Sequence, residues 1–399
     1  MISGQAFAAE LERAGYDFFT GVPCSLVEDV IAALEAHERL PYIPAVREDV
    51  GVGLATGAWM AGRRPAVLLQ NSGLGTSLNA LVSLAILYRV PTLLVVTWRG
   101  HGGRDAPEHL QMGEITPRLL DLLSIPHRVL GAGRLAEDIA WARDEADRLE
   151  RPVALVVPPG IVETGRHRHA AATACPPHEA APPARMTRAG SRQDAVASIS
   201  RLAALRAAVE SAGEAPIVHA NGYICRESFS VKDRPGNFYM IGSMGLASSI
   251  GLGVALARPQ TPTLVFDGDG NLLMNLGILP MIGGGPVMGR SRPENFVHVV
   301  FDNAVYGSTG NQISPARHAH LDRLALAAGY ATAEALTTTE EIGAAVADAL
   351  RRPGPSFILA RVTAEEHEAP RIPYPPEEIT RRFRRALGEA AEPDPWRSP

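Results

Sequence analysis

The fold is written most plainly in TLVFDGDGNLLMNLG, residues 263–277, and in the stretch that follows it, VHVVFDNAVYGSTGNQ, residues 297–312. Each begins as a strand-length apolar run and ends in a turn rich in Asp, Asn and Gly. That order puts polar groups at the carboxyl edge of a parallel sheet, where α/β folds bind ligands. Asp269 and Asn303 offer hard oxygen ligands suited to Mg²⁺, an ion that keeps waters and shares phosphate oxygens with the protein. Gly268 and Gly270 let backbone amides approach a diphosphate. Asp-Gly and Asp-Asn are also ordinary turn formers; their repetition, in this order after two strands, argues for a site.

Outward from this pair the same texture continues. FYMIGSMGLASSIGLGVALA, residues 238–257, runs from a strand through Gly242-Ser243-Met244-Gly245 into a helix of small residues that can pack closely or approach a ligand. Further strands are predicted over 217–220, 263–266, 296–301 and 356–361, with helices over 195–211, 247–257, 321–328 and 340–350. The first half alternates likewise, with strands over 42–46, 66–70, 92–97 and 154–157 and helices over 3–14, 26–36 and 134–149. Alternation of this kind predicts parallel sheets with helices on both faces. Between the halves lies TGRHRHAAATACPPHEAAPPARMTRAG, residues 164–190, without apolar periodicity, which reads as a linker. The expected organisation is therefore an α/β domain over 1–163, a linker over 164–192, a second α/β domain over 193–388 and a disordered tail over 389–399.

Composition narrows the function. The chain has 399 residues, and 38 Lys+Arg against 43 Asp+Glu leave a net charge of −5, too mild to recruit nucleic acid or an anionic membrane through overall charge. A bound anion must then be held locally. Cys24, Cys175 and Cys225 form neither a disulfide framework nor a zinc pattern. Glu10, Glu12 and Arg13 interrupt what a signal peptide would need as its apolar core. The charge-free run 66–88 is cut by Gln70-Asn71-Ser72-Gly73 into a strand and a helix of about 13 residues, too short to span a bilayer. A cytoplasmic protein is expected.

In REDVGVGLATGAWMAG, residues 47–62, Glu48 stands just before an apolar helix. An acidic residue there is ordinarily a dipole partner. DGDG followed by a DN pair, however, resembles the diphosphate-binding motif of thiamine diphosphate enzymes, and Glu48, nine residues before Gly57, resembles the glutamate of their pyrimidine-binding domain. The longer spacing from Asp269 to Asn303 accommodates IGGGPVMGRSRPEN, residues 282–295. VPCSLVEDVI (22–31), WRGHGG (98–103), MGEITPRLLDLLSIP (112–126) and DNAVYGSTGNQ (302–312) extend the likeness over nearly the whole chain. They resemble sulfopyruvate decarboxylase and its relative phosphonopyruvate decarboxylase. REDVGVG, MGEIT and YGSTGNQ are more similar to the sulfopyruvate branch; DAPEH, residues 105–109, is similar to a segment of the phosphonopyruvate branch. The sulfopyruvate enzyme often has two small subunits, and this chain resembles their fusion.

The resemblance implies a fold of two thiamine diphosphate-binding-type domains and a set of roles. Glu48 would hydrogen-bond the pyrimidine N1′, shielded from water. Met244 would lie beneath the cofactor, and the Gly242 carbonyl would steer its amino group. Asp269, Asn303 and the Val305 carbonyl would hold Mg²⁺ against the diphosphate, helped by Ser243, Gly268, Gly270, Asn271 and Ser308. The substrate would be a small anionic 2-oxoacid, met by Arg99, whose planar fork matches sulfonate or phosphonate oxygens, and by Ser25, Asn71, Ser72, His101 and His109. An alternative for Arg99 is a structural pair with Asp105 or Glu108. A homodimer or homotetramer with active sites at subunit interfaces is expected. Two other readings are a carboligase of the acetolactate synthase branch, for whose flavin-binding middle domain the linker is too short, and a non-catalytic binding protein, which would not need Glu48.

Overall fold

The computed structural model describes residues 1–37, 42–165, 197–285, 292–365 and 367–388. These form two compact units, one within 1–165 and the other within 197–388. The first is built on a six-stranded sheet of β1 (Phe18–Gly21), β2 (Tyr42–Pro44), β3 (Pro65–Gln70), β4 (Leu93–Thr97), β5 (His127–Val129) and β6 (Val153–Val157), in the order β2-β1-β3-β4-β6-β5. All its pairings are parallel. β4 (LLVVT) and β6 (VALVV) are buried at every residue, as strands covered on both faces must be.

The second unit repeats the plan with β7 (Ile217–His219), β8 (Asn237–Tyr239), β9 (Thr263–Gly268), β10 (Phe296–Asp302), the short hairpin β11 (Val305–Tyr306) and β12 (Gln312–Ile313), β13 (Thr332–Leu336) and β14 (Ser356–Arg361). Its main sheet runs β13-β14-β10-β9-β7-β8, again parallel throughout. The helix Ala247–Ala257 is buried along its whole length, which its small residues permit. Ser3 and Ser200 cap their helices by accepting the N–H three residues on, each at 3.2 Å.

The α/β class and most predicted elements agree with this architecture. The predicted helix 195–211 instead begins at Arg201, with Ser200 as its cap, and residues 195–196 lie outside the described set. The linker from 166 onward, 286–291 of the insertion and the tail also lie outside it. Unforeseen elements include β1, β5 and β13 and the helices Pro107–Leu122, Tyr223–Val231 and Pro376–Ala386. The first of these helices carries Pro117 inside it, a breaker signal overridden by packing. Among the described residues no helix is long and apolar enough to cross a membrane.

One core residue makes stability pH-dependent. His219 in β7 is fully buried between the rings of Tyr239 and Phe266, and its Nε2 has no partner. Burial pushes its pKa from 6.5 down to about 3. The fold holds it neutral whereas the unfolded chain protonates it, so its contribution is intact above about 6.5 and is lost as pH falls toward 3. Thermal melts should show the melting temperature of His219→Phe falling less steeply than that of the parent between pH 6.5 and 4. Parallel curves would show that His219 does not contribute to acid sensitivity.

Candidate active site

β7 and β9 are neighbours, but the sheet continues from them in opposite directions, to β8 and to β10. A crevice opens at the carboxyl ends of such a pair. Met244, Gly268, Asp269, Gly270 and Asn271 line a cavity there, together with Asn303, Val305 and Ser308. Gly242 and Ser243 lie in the preceding turn, outside the lining. Ser243 is buried in the left-handed region at φ +52°, a conformation a serine adopts at some cost. Asn271 fastens this turn: its Oδ1 accepts the Gly245 N–H at 2.7 Å and its Nδ2 donates to Asp267. Behind it, Asp267 Oδ2 lies 3.2 Å from Nε2 of the buried His298. Gly270 has a reason beyond backbone approach to a ligand, because a Cβ there would stand 2.5 Å from the ring of Tyr306.

Asp269 begins the short helix after β9 and is 4% exposed. Its Oδ2 is buried with no hydrogen-bond partner. Burial pushes the carboxyl up to about 6; the nearby Asp302 charge adds to the rise and the Ser314 hydroxyl opposes it. A lone buried carboxylate is costly, and a cation offsets that cost. Asn303 shares the cavity, its Oδ1 accepting the Val305 N–H at 3.2 Å. Carboxylate, amide and carbonyl oxygens with one orphaned carboxylate oxygen fit Mg²⁺, with phosphate or water completing the shell.

Glu48 lies in the other unit, where it opens the helix Glu48–Met60. Its Oε2 accepts a hydrogen bond from Thr76 Oγ1 at 3.0 Å. A Cβ at Gly73 would stand 2.3 Å from Glu48 Cγ, so the glycine is what admits this side chain. The carboxylate is half-buried, less shielded in this chain than the expectation required. Arg47 pairs with Asp49 at 2.6 Å.

Ser25, Ser72 and Arg99 follow the ends of β1, β3 and β4. Arg99 Nη1 lies 3.4 Å from Ser25 Oγ, and Ser72 Oγ accepts from Gln70 at 2.6 Å. Arg99 also forms the pair named as its alternative: Nε and Nη2 donate to Asp105 at 2.8 and 2.7 Å. These bonds, with the N–H groups of Gly100 and Ala106, hold the Asp105 carboxyl well below the usual carboxylate range.

Asn71 is bound to the Arg99 backbone. It is fully buried, its Nδ2 donating to the Arg99 carbonyl and to Thr116 Oγ1, each at 2.9 Å, while its Oδ1 accepts the Arg99 N–H at 3.2 Å. Through these bonds it positions the Arg99 backbone. His101 packs its ring on Trp98 at 4.1 Å, and His109 Nε2 lies 3.9 Å from Glu108. No hydrogen bond joins either histidine to Arg99.

Gly73, Thr76 and, at the cavity, Arg201, Asn221, Gly222, Tyr223 and Tyr306 were not anticipated. Asn221-Gly222 did carry a signal, an Asn-Gly turn directly after a buried strand, the pattern that marked Asp269.

Comparison with known proteins agrees with this geometry. Residues 1–120 match the thiamine pyrophosphate enzyme N-terminal TPP binding domain, and residues 221–360 match the corresponding C-terminal TPP binding domain. A phosphonopyruvate decarboxylase from Streptomyces viridochromogenes is 34% identical, over 96% of this chain and 94% of its own length. A sulfopyruvate decarboxylase from Methanosarcina acetivorans is 30% identical, over 94% of this chain and 95% of its own. The solved benzoylformate decarboxylase of Polynucleobacter necessarius shares the fold, with a TM-score of 0.68 at 13% identity, covering 92% of this chain and 100% of that one.

Proposed function

Because the chain belongs to the thiamine pyrophosphate enzymes, in the family of the phosphonopyruvate and sulfopyruvate decarboxylases, we propose that it decarboxylates a pyruvate bearing an anionic group on its methyl carbon. The sulfonate is the reading the motifs favour, giving sulfoacetaldehyde and CO₂ from 3-sulfopyruvate. The phosphonate is the second reading, favoured by the full-length relative at 34% identity. The observation that carries the cofactor assignment is the orphaned, buried oxygen of Asp269 in a cavity shared with Asn303 and Val305.

When bound, thiamine diphosphate supplies the electron sink for the pair left by departing CO₂, which no side chain can provide. Asp269, Asn303 and the Val305 carbonyl would hold Mg²⁺ on its diphosphate. Gly268, Gly270 and Ser308 would border that group, Met244 would support the cofactor body, and the Gly242 carbonyl would take its amino group. Asn271 and Ser243 keep the turn between them in shape. Glu48 would hold the proton shared with the pyrimidine N1′, and Thr76 fixes the carboxylate by one oxygen. Arg99, oriented by Asp105, offers its remaining N–H groups to the substrate's sulfonate or phosphonate, with Ser25, Ser72, His101 and His109 as further donors.

We infer a homodimer or homotetramer in which Glu48 of one chain serves a cofactor held by Asp269 and Asn303 of another. The half-buried state of Glu48 supports this, since a second chain would complete its shielding. A cytoplasmic setting accords with Cys24 and Cys225, both free and buried.

The deciding assay measures CO₂ and aldehyde from sulfopyruvate, phosphonopyruvate and pyruvate side by side, with Mg²⁺ and thiamine diphosphate present. Arg99→Ala should reduce the rate for the preferred anionic substrate by about ten- to a hundredfold, the worth of a hydrogen bond between charged groups, and leave any pyruvate rate much less affected. Equal losses for all substrates, with a lowered melting temperature, would leave Arg99 a purely structural partner of Asp105.

A further inference from the structure

Arg201 borders the cavity of Asp269 and Asn303, yet it lies outside residues 221–360, the part matched by the C-terminal TPP binding domain. It opens the helix Arg201–Ser211 and is nearly fully buried. Its Nε and Nη2 donate to the two oxygens of Glu227 at 2.9 and 2.8 Å, and Glu227 is itself 1% exposed. The ring of Tyr223 lies against the guanidinium, 4.9 Å from Cζ to the ring centre.

A buried ion pair adds little net stability, because desolvation offsets most of the attraction. This one does fix direction. With Nε and Nη2 committed, Nη1 is left without a partner among the described residues. It lies 3.6 Å from where a Cβ on Gly307 would stand, in the segment that also carries Asn303, Val305 and Ser308.

We propose that Nη1 of Arg201 is a ligand of the cofactor's diphosphate, with Glu227 and Tyr223 holding the guanidinium in place. The inference rests on reading this cavity as the diphosphate site. A planar guanidinium already fixed by a partner gives up little freedom on binding, and its N–H groups suit phosphate oxygens. A diphosphate also carries more negative charge than one Mg²⁺ bound to a carboxylate can balance.

Calorimetric titration of the full-length protein with thiamine diphosphate and Mg²⁺ tests this in the parent, in Arg201→Lys and in the double variant Arg201→Met with Glu227→Gln. The double variant removes both charges together, which avoids stranding a buried carboxylate and should preserve the melting temperature. Its affinity should fall by about ten- to a hundredfold. Arg201→Lys keeps the charge opposite Glu227 but lacks the fork, and it should also bind more weakly; if the double variant does not fold, this variant decides. Parent-like affinity in a folded variant overturns the role of Arg201. If the parent itself does not bind thiamine diphosphate, the reading of the cavity fails instead, whereas loss in Asp269→Ala with full binding in the Arg201 variants overturns this inference alone.

Discussion

Glu48→Gln should lower turnover by about a hundred- to ten-thousandfold, the range in which a positioned acid or base contributes, while thiamine diphosphate affinity stays close to that of the parent. An amide still accepts a hydrogen bond and fills the same space beside Gly73, but it cannot hold the proton that the pyrimidine nitrogen must share. The contact from Thr76 reaches Oε2, and a glutamine can keep its oxygen there. Folding should be unaffected, because Glu48 is half-buried and forms no ion pair among the described residues that an amide would break. Steady-state rates with saturating cofactor, together with a titration of cofactor binding, separate the two effects. Turnover like the parent's would remove Glu48 from the chemistry.

Asp269→Ala should abolish Mg²⁺-dependent cofactor binding. Loss of a partner one shell out from a metal typically costs ten- to a hundredfold in affinity, and loss of the carboxylate ligand itself should cost more. The structure adds a second expectation that distinguishes this from simple damage. Without a cation, the Asp269 carboxyl has an orphaned oxygen and burial pushes its pKa up to about 6, so its removal should leave the melting temperature of the cofactor-free protein unchanged or slightly raised. Calorimetry showing unaltered binding, or a variant that no longer folds, would contradict this account of the site. Mixing the two inactive variants offers a further check. If Glu48 of one chain serves the cofactor of another, some mixed assemblies regain one intact site and activity reappears; a mixture that stays inactive would argue against sharing.

Much of the fold was legible because it depends on local regularities. Near-continuous apolar runs marked β4, β6 and β10, and helical spacing marked the elements between them. The turns after β9 and β10 announced themselves through Asp, Asn and Gly, residues whose chemistry is evident without knowing what surrounds them. Asp269 and Asn303 could therefore be named from sequence, and Val305 through the family resemblance; all three lie around one cavity. The strand β5 (HRV) was not legible, since it is only partly buried and carries no apolar run.

Tertiary structure alone decided which side chains meet. Asn71 and Arg99 both looked like ligand-binding residues at strand ends; the neighbouring position of β3 and β4 turns Asn71 inward to bond the Arg99 backbone, and Asp105 takes one edge of the guanidinium. Gly73 and Thr76 gained meaning only once the helix Glu48–Met60 was laid beside them, and Arg201 only once Glu227 had aligned it at the cavity. Spacing along a chain reports which face of an element is buried. Hydrogen bonds near 3 Å between distant segments depend instead on strand order and helix placement, and these are fixed only when the whole core packs.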